Sequence, residues 1–255
     1  MKPSDWFDLT ERAALVTGGG SGIGRACALA LAGAGASVLV VGRRAQKLDA
    51  VCAEVRAAGG RCEAFAADLT QEDNCRAMVQ ACRSRFGRVD ILVNSAGSRG
   101  ANGDLATELT AENLRATFAA DFDSTFFATR YAWPVMAAGG GGSIINIASL
   151  AALQARGPVV YAAAKGAVRS FSRAMAKRLG PQNVRVNTIY PGFILTEMTR
   201  GVLDDPAMKA HFEADSPLGL IGETGDIAAC ALYLAGDAAR FVTGQDFVID
   251  GGATC

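Results

Sequence analysis

Tyr161 and Lys165 stand four residues apart in the run Tyr161-Ala162-Ala163-Ala164-Lys165, twelve residues after Ser149. On a helix, a spacing of four puts two side chains on one face, one turn apart. A free phenol titrates near about 10, which makes it a poor base at neutral pH. An ammonium one turn away would stabilise the phenolate, so Tyr161 can act as acid or base at an oxygen atom. Ser149 would donate a hydrogen bond to that oxygen as charge develops on it. The same spacing also arises as an ordinary helix pair, so the chemistry needs support from elsewhere in the chain.

A second constellation lies near the start. Thr17-Gly18-Gly19-Gly20-Ser21-Gly22-Ile23-Gly24 separates the strand-like run 13–17 from the amphipathic run 22–34. The pyrophosphate of a dinucleotide must approach backbone amides at a helix N-terminus, where unpaired N–H groups favour negative charge. A Cβ would block that approach, so glycine suits the contact points. Glycine also serves ordinary tight turns; its place between strand and helix favours the anion-binding reading.

Elements of the right length to position both constellations alternate along the chain. Strand-like runs 13–17, 38–41, 62–67, 91–94, 143–148, 184–190 and 247–250 interleave with helical runs 22–34, 45–58, 71–86, 111–138, 159–179 and 224–235. The strands are continuous apolar runs rather than alternating ones, which is the pattern of strands covered on both faces. This order predicts an α/β fold, a Rossmann-type doubly wound parallel sheet flanked by helices. No linker or repeat divides residues 1–255, so a single domain is expected; the glycines at 139–142 read as a helix stop and turn.

The motif T-G-x-x-x-G-I-G resembles that of the short-chain dehydrogenase/reductase family, and six further matches follow. Asp68-Leu69 comes after the third strand, and Asn94-Ser95-Ala96-Gly97 ends the fourth. Ser149 closes Ile145-Asn146-Ile147-Ala148-Ser149, and Tyr161 to Lys165 forms Y-x-x-x-K. Pro191-Gly192-Phe193-Ile194-Leu195-Thr196 follows the sixth strand, and Asp250-Gly251-Gly252 closes the series. The resemblance runs from about Leu9 to Gly252.

It implies hydride transfer between a nicotinamide cofactor and a ketone or secondary alcohol. Tyr161, Lys165 and Ser149 would be catalytic, with Tyr161 and Lys165 also at the cofactor and Lys165 on the nicotinamide ribose. Further cofactor contacts would come from Gly18, Gly20, Ser21, Gly22, Ile23 and Gly24, and from Asp68 and Leu69 at the adenine. Asn94, Ala96 and Gly97, then Pro191, Gly192, Ile194 and Thr196, would complete the set. The family's fourth catalytic residue is an asparagine fifteen residues before the methionine of P-x-M; from Met136 that count reaches Asp121. Aspartate can accept the asparagine's hydrogen bond to a water leading to the lysine, but it cannot donate and it carries charge. Held near Lys165, it would bind the ammonium and weaken its effect on Tyr161. The departure leaves one alternative from another class, a cofactor-sensing protein with weak or absent turnover. An enoyl reductase is disfavoured because that branch spaces its tyrosine and lysine more widely.

Residues at the end of the second strand choose between NADP and NAD. A carboxylate there would accept from ribose hydroxyls and repel a 2′-phosphate. Val41-Gly42-Arg43-Arg44 carries none, and two guanidiniums can grip phosphate. Ser21 could add a hydroxyl contact. NADP is therefore expected over NAD, against the plainer reading of Arg43 and Arg44 as solvated loop residues. Apolar Leu150, Leu153, Val159, Phe193, Leu195, Met198, Leu203 and Met208 follow strands five and six, which predicts an apolar small-molecule ketone or alcohol.

Composition sets the outer bounds. The 255 residues carry 25 basic and 25 acidic side chains, without the basic footprint of a nucleic-acid binder. Mean hydropathy is +0.20, yet apolar runs stay far below the ~20 residues of a membrane span. The first ten residues have no apolar stretch of signal-peptide type, so a cytoplasmic protein is expected. Seven scattered cysteines without a C-x-x-C, and a single histidine, read as free thiols with no metal site. Phe118, Phe122, Phe126, Phe127 and Phe171 place apolar surface on more than one helix face. With the apolar C-terminal strand, this predicts a homo-oligomer, a homotetramer in the family's manner.

Overall fold

The computed structural model describes residues 3–101, 103, 105–154 and 157–255. Seven strands form one all-parallel sheet: β1 (Ala13–Thr17), β2 (Ser37–Gly42), β3 (Arg61–Ala66), β4 (Ile91–Asn94), β5 (Gly142–Ile147), β6 (Val184–Pro191) and β7 (Asp246–Ile249). Their spatial order is β3-β2-β1-β4-β5-β6-β7. The chain winds outward one way from β1 and the other way from β4, so a crevice opens at the C-terminal ends of these two neighbours. The expected strand–helix alternation and doubly wound sheet are present.

Successive side chains of each central strand enter opposite cores. Ala14, Val16, Val38, Val40, Ile91 and Val93 pack under α1 (Gly22–Gly33), α2 (Ala45–Ala57) and α9 (Thr224–Ala235). Ala13, Leu15, Leu39, Val41, Leu92 and Ile144 pack under α3 (Glu72–Phe86), α5 (Ser124–Ala138) and α6 (Val159–Leu179). Both faces being covered is why the strands read as unbroken apolar runs.

Two regions differ from the sequence expectation. The stretch read as one helix over 111–138 is α4 (Ala111–Phe118), a π-helical turn at Ala119–Asp123, and α5. A π turn adds a residue to the helical repeat and re-aims the side chains that follow. Here it carries Asp121 into the interior, fully buried. The second difference is a short helix α7 (Glu197–Leu203) after β6; it precedes α8 (Pro206–Asp215), where Met208, His211 and Phe212 form the helical stretch that their spacing suggests. A capping box at Thr196 with Thr199 starts α7 directly after the Pro191–Thr196 segment.

The cysteines bear out the free-thiol reading: all seven are unpaired and five are buried. Burial pushes Cys27, Cys75 and Cys82 up to about 12 and Cys230 up to about 11, which removes them as nucleophiles at neutral pH. Among the described residues no helix is long and apolar enough to cross a membrane.

Candidate active site

The first wall of the crevice is the glycine turn between β1 and α1. Gly18 and Gly22 hold positive φ values of 65° and 52°, open to glycine at little cost. A Cβ on Gly18 would lie 2.7 Å from the Ser95 carbonyl oxygen, and one on Gly24 would run into the Gly18 carbonyl. The turn is therefore closed on itself and against the end of β4, with no room for a side chain at Gly18 or Gly24. Thr17 locks this contact: its Oγ1 accepts from the amides of Ser95 and Ala96, both at 3.0 Å. Ser21 is the N-cap of α1, and its side chain makes no capping bond to that helix. Instead its hydroxyl accepts from Arg44 at 2.9 Å. The amides at the start of α1 are the place such a turn offers an anionic group.

The second wall is built around Lys165. Its side chain is 6% exposed, and its ammonium lies 3.2 Å from Oδ1 of the fully buried Asp121. It also donates to the Ile147 carbonyl oxygen at the end of β5, at 3.2 Å. The Tyr161 ring stands one turn earlier on α6, with its centroid 5.6 Å from the ammonium. Ser149 lies two residues beyond the end of β5 and caps a short 3-10 turn, its Oγ accepting from the Ala151 amide at 3.2 Å. Ser149, Tyr161, Lys165 and Asp121, nominated separately from the sequence, thus belong to one region at the C-terminal edge of the sheet.

Asp121 does more than stand in for an amide. Its carboxylate accepts from the Ser98 amide at 3.1 Å and from the Ser98 hydroxyl at 2.6 Å. The Ser98 oxygen in turn accepts from the Gly100 amide at 3.1 Å, so the loop after β4 is tied to the π turn. Gly97 makes the approach possible: a Cβ there would lie 2.6 Å from Asp121 Oδ1 and 3.4 Å from Lys165 Nζ. Gly100, at φ +67°, would place a Cβ 2.8 Å from that of Tyr161. Ser98 escaped the sequence reading. Its only signal is a hydroxyl directly after Ala96-Gly97 in a chain where aspartate occupies position 121, and the two meet only through the fold.

Tyr131 and Tyr190 are poor candidates for a base. Burial, reinforced by Asp246, raises Tyr190, and a hydrogen bond to Glu72 raises Tyr131. Tyr161 alone has a lysine one turn away and a place in the crevice.

Several nominated positions are fixed by contacts of their own. The Asn94 side chain is 2% exposed and donates to Asn146 at 2.8 Å and Thr129 at 3.3 Å, fixing the strand end. Asp68 accepts from Thr70 at 3.0 and 2.9 Å, and Leu69 is buried in the core. Pro191 ends β6, a Cβ on Gly192 would meet Asp250 at 2.7 Å, and buried Ile194 bridges to Gly222. Thr196 lies beside Gly22, with 3.5 Å from its Cγ2 to a Cβ built there. Ala96 packs as part of the core behind the turn.

The rim beyond β2 carries charge. Arg44 reaches Glu197 of α7 at 3.2 Å, and Lys47 reaches the same carboxylate at 2.7 Å. Arg43 is exposed and has no ion pair among the described residues. The glycine turn at the start of α1, with cations beside it, fits the pyrophosphate of a dinucleotide. Of the nominated apolar wall, Val159, Leu195, Met198 and Met208 are exposed, while Phe193 stacks on Phe212 with centroids 3.5 Å apart.

Comparison with known proteins agrees with this geometry. A family model described as enoyl-(acyl carrier protein) reductase matches residues 18–254. The chain is 39% identical to D-threitol dehydrogenase of Mycolicibacterium smegmatis over 97% of its own length and 95% of that protein's. It superposes with TM-score 0.94 on 7α-hydroxysteroid dehydrogenase complexed with NADH and 7-oxo glycochenodeoxycholic acid, at 35% identity over 99% and 98% of the two chains. The sequence of that enzyme from Escherichia coli aligns at the same 35% identity. A protein of Beutenbergia cavernae solved with NADP bound at low occupancy matches at TM-score 0.91 and 36% identity, over 97% and 98%. By fold, crevice and similarity along its length, the chain belongs to the short-chain dehydrogenase/reductase family of oxidoreductases.

Proposed function

We propose that the chain is an NADP-preferring carbonyl reductase or alcohol dehydrogenase in which Tyr161 is the acid/base. The observation that carries this reading is the buried Lys165 ammonium held between Asp121 and the Ile147 carbonyl, one turn from Tyr161. The bound nicotinamide supplies or accepts the hydride. Tyr161 moves the proton at the substrate oxygen, and Ser149 donates a hydrogen bond to the same oxygen. Lys165 holds positive charge beside the phenol and is placed to bind the nicotinamide ribose. The glycine turn with Ser21 takes the phosphates.

An apolar ketone or secondary alcohol fits the exposed Val159, Leu195, Met198 and Met208. Reduction of an enoyl thioester, which the matching model's description names, fits less well with a tyrosine–lysine spacing of four. A binding protein without turnover has less support, because Ser149, Tyr161 and Lys165 are all present and lie at the same edge of the sheet. The buried thiols suit a reducing compartment, so we place the protein in the cytoplasm.

Four outcomes test these statements. Tyr161→Phe should lower kcat by about 100-fold or more while the cofactor Kd stays within about two-fold, because only the ionisable hydroxyl is lost. Normal turnover by the folded variant would remove Tyr161 from the mechanism.

Asp121→Asn should keep or raise activity near neutral pH. Removing an anion 3.2 Å from the ammonium favours the phenolate, so the rising limb of alcohol oxidation should move to lower pH, by about 0.5–1 unit. A large loss of kcat would instead give the carboxylate a role of its own.

NADP(H) should exceed NAD(H) in kcat/KM, and Arg43→Ala should erase most of that preference. A native protein that favours NADH would refute the argument from the end of β2.

A homotetramer is supported by the half-buried aromatic ridge of Phe118, Phe122, Phe126 and Phe171 along α4, the π turn, α5 and α6. Phe241, 97% exposed ahead of edge strand β7, marks a second apolar surface. Light scattering at micromolar concentration should give four times the chain mass; a monomer would contradict the proposal.

A further inference from the structure

The glycine turn, the start of α2 and the start of α7 meet around a cavity of about 330 Å³ whose lining includes Ser21, Gly22, Lys47 and Glu197. A Cβ on Gly20 would lie 3.2 Å from Lys47 Cβ, so α2 closes directly over the turn. Into this corner the first residue of α7 sends a carboxylate. Glu197 Oε1 accepts from Lys47 at 2.7 Å, and Oε2 accepts from Arg44 at 3.2 Å. Arg44 also donates to Ser21 on the turn itself. One carboxylate thus occupies two of the cations beside the cofactor turn, and these hydrogen bonds hold the Glu197 carboxyl below the usual range. Its groups are about half exposed, so the arrangement is exchangeable rather than a fixed part of the core.

We propose that Glu197 is a resident counter-anion that competes with the cofactor's 2′-phosphate for Arg44 and Lys47, and thereby sets how strongly the protein discriminates NADP from NAD. This rests on reading the crevice as a dinucleotide site. A phosphate monoester carries up to about two negative charges and three acceptor oxygens, so it can replace a single carboxylate on the two cations. A 2′-hydroxyl brings no charge and leaves both ion pairs in place. The phosphate term is therefore reduced by the pairs it displaces, while binding of the unphosphorylated dinucleotide is not. Lys47 becomes a specificity residue alongside Arg43 and Arg44, and Glu197 becomes one of opposite sign.

Calorimetric or fluorescence titration of the native protein, Glu197→Gln and Lys47→Ala with NADP⁺ and NAD⁺ tests this without turnover. Glu197→Gln should tighten NADP⁺ by about 3- to 10-fold, the scale of two exposed ion pairs, and change NAD⁺ by less than about two-fold. Lys47→Ala should weaken NADP⁺ by a similar factor and spare NAD⁺. Equal effects on both dinucleotides, or no tightening of NADP⁺ in Glu197→Gln, would overturn the competitor role while leaving the dinucleotide site intact. A native protein that binds neither dinucleotide would overturn the site reading, and the inference with it.

Discussion

A buried ammonium needs an answer in a protein interior, and much of this crevice is that answer. Leaving Lys165 unpaired at 5% exposure would cost several kcal/mol, on the order given for buried ions. The carboxylate of Asp121 and the carbonyl of Ile147 supply the compensation. Each requirement propagates. Asp121 reaches the ammonium only because the helix passes through a π turn, and the carboxylate's remaining acceptor capacity is met by Ser98. Ser98 in turn needs Gly97 before it, since a Cβ at that position would fill the space between carboxylate and ammonium.

The cofactor half of the crevice obeys a different constraint, which is backbone proximity. Thr17 binds the end of β4 to the glycine turn, so the two strands at which the sheet order reverses are held in register where the crevice opens. Cβ atoms are excluded at Gly18 and Gly24 because backbone meets backbone there, and the amides at the start of α1 remain as the polar groups a phosphate could meet. Charge then enters at the rim, among others through Arg43, Arg44, Lys47 and Glu197. Rigid positioning is thus concentrated around Lys165, and adjustable, half-exposed pairing beyond β2.

Local signals read the fold well wherever they were sufficient. Unbroken apolar runs announced β1, β2 and β4, and the four-residue spacing of Tyr161 and Lys165 fell on a helix whose bounds match those read from the sequence. Asp121 is reached by counting from Met136, and its pairing with Lys165 is the expected one; the π turn that delivers it looks like ordinary helix in sequence. Ser98 carried a still weaker signal, for a serine in a polar loop has many uses. Glu197 and Lys47 lie 150 residues apart, and only the return of α7 over the glycine turn brings them together. Beyond the π turn, what could not be read was a pairing made by tertiary contact.

The central claim is that Asp121 and Lys165 stabilise each other as a buried pair, and a thermal double-mutant cycle tests it most directly. Lys165→Met alone leaves the fully buried carboxylate without its cation and should cost about 3–5 kcal/mol. Adding Asp121→Asn removes the stranded charge while keeping an acceptor for Ser98. The double variant should therefore melt well above Lys165→Met, by several degrees. Strictly additive losses, with the double variant melting below both single variants, would contradict the account.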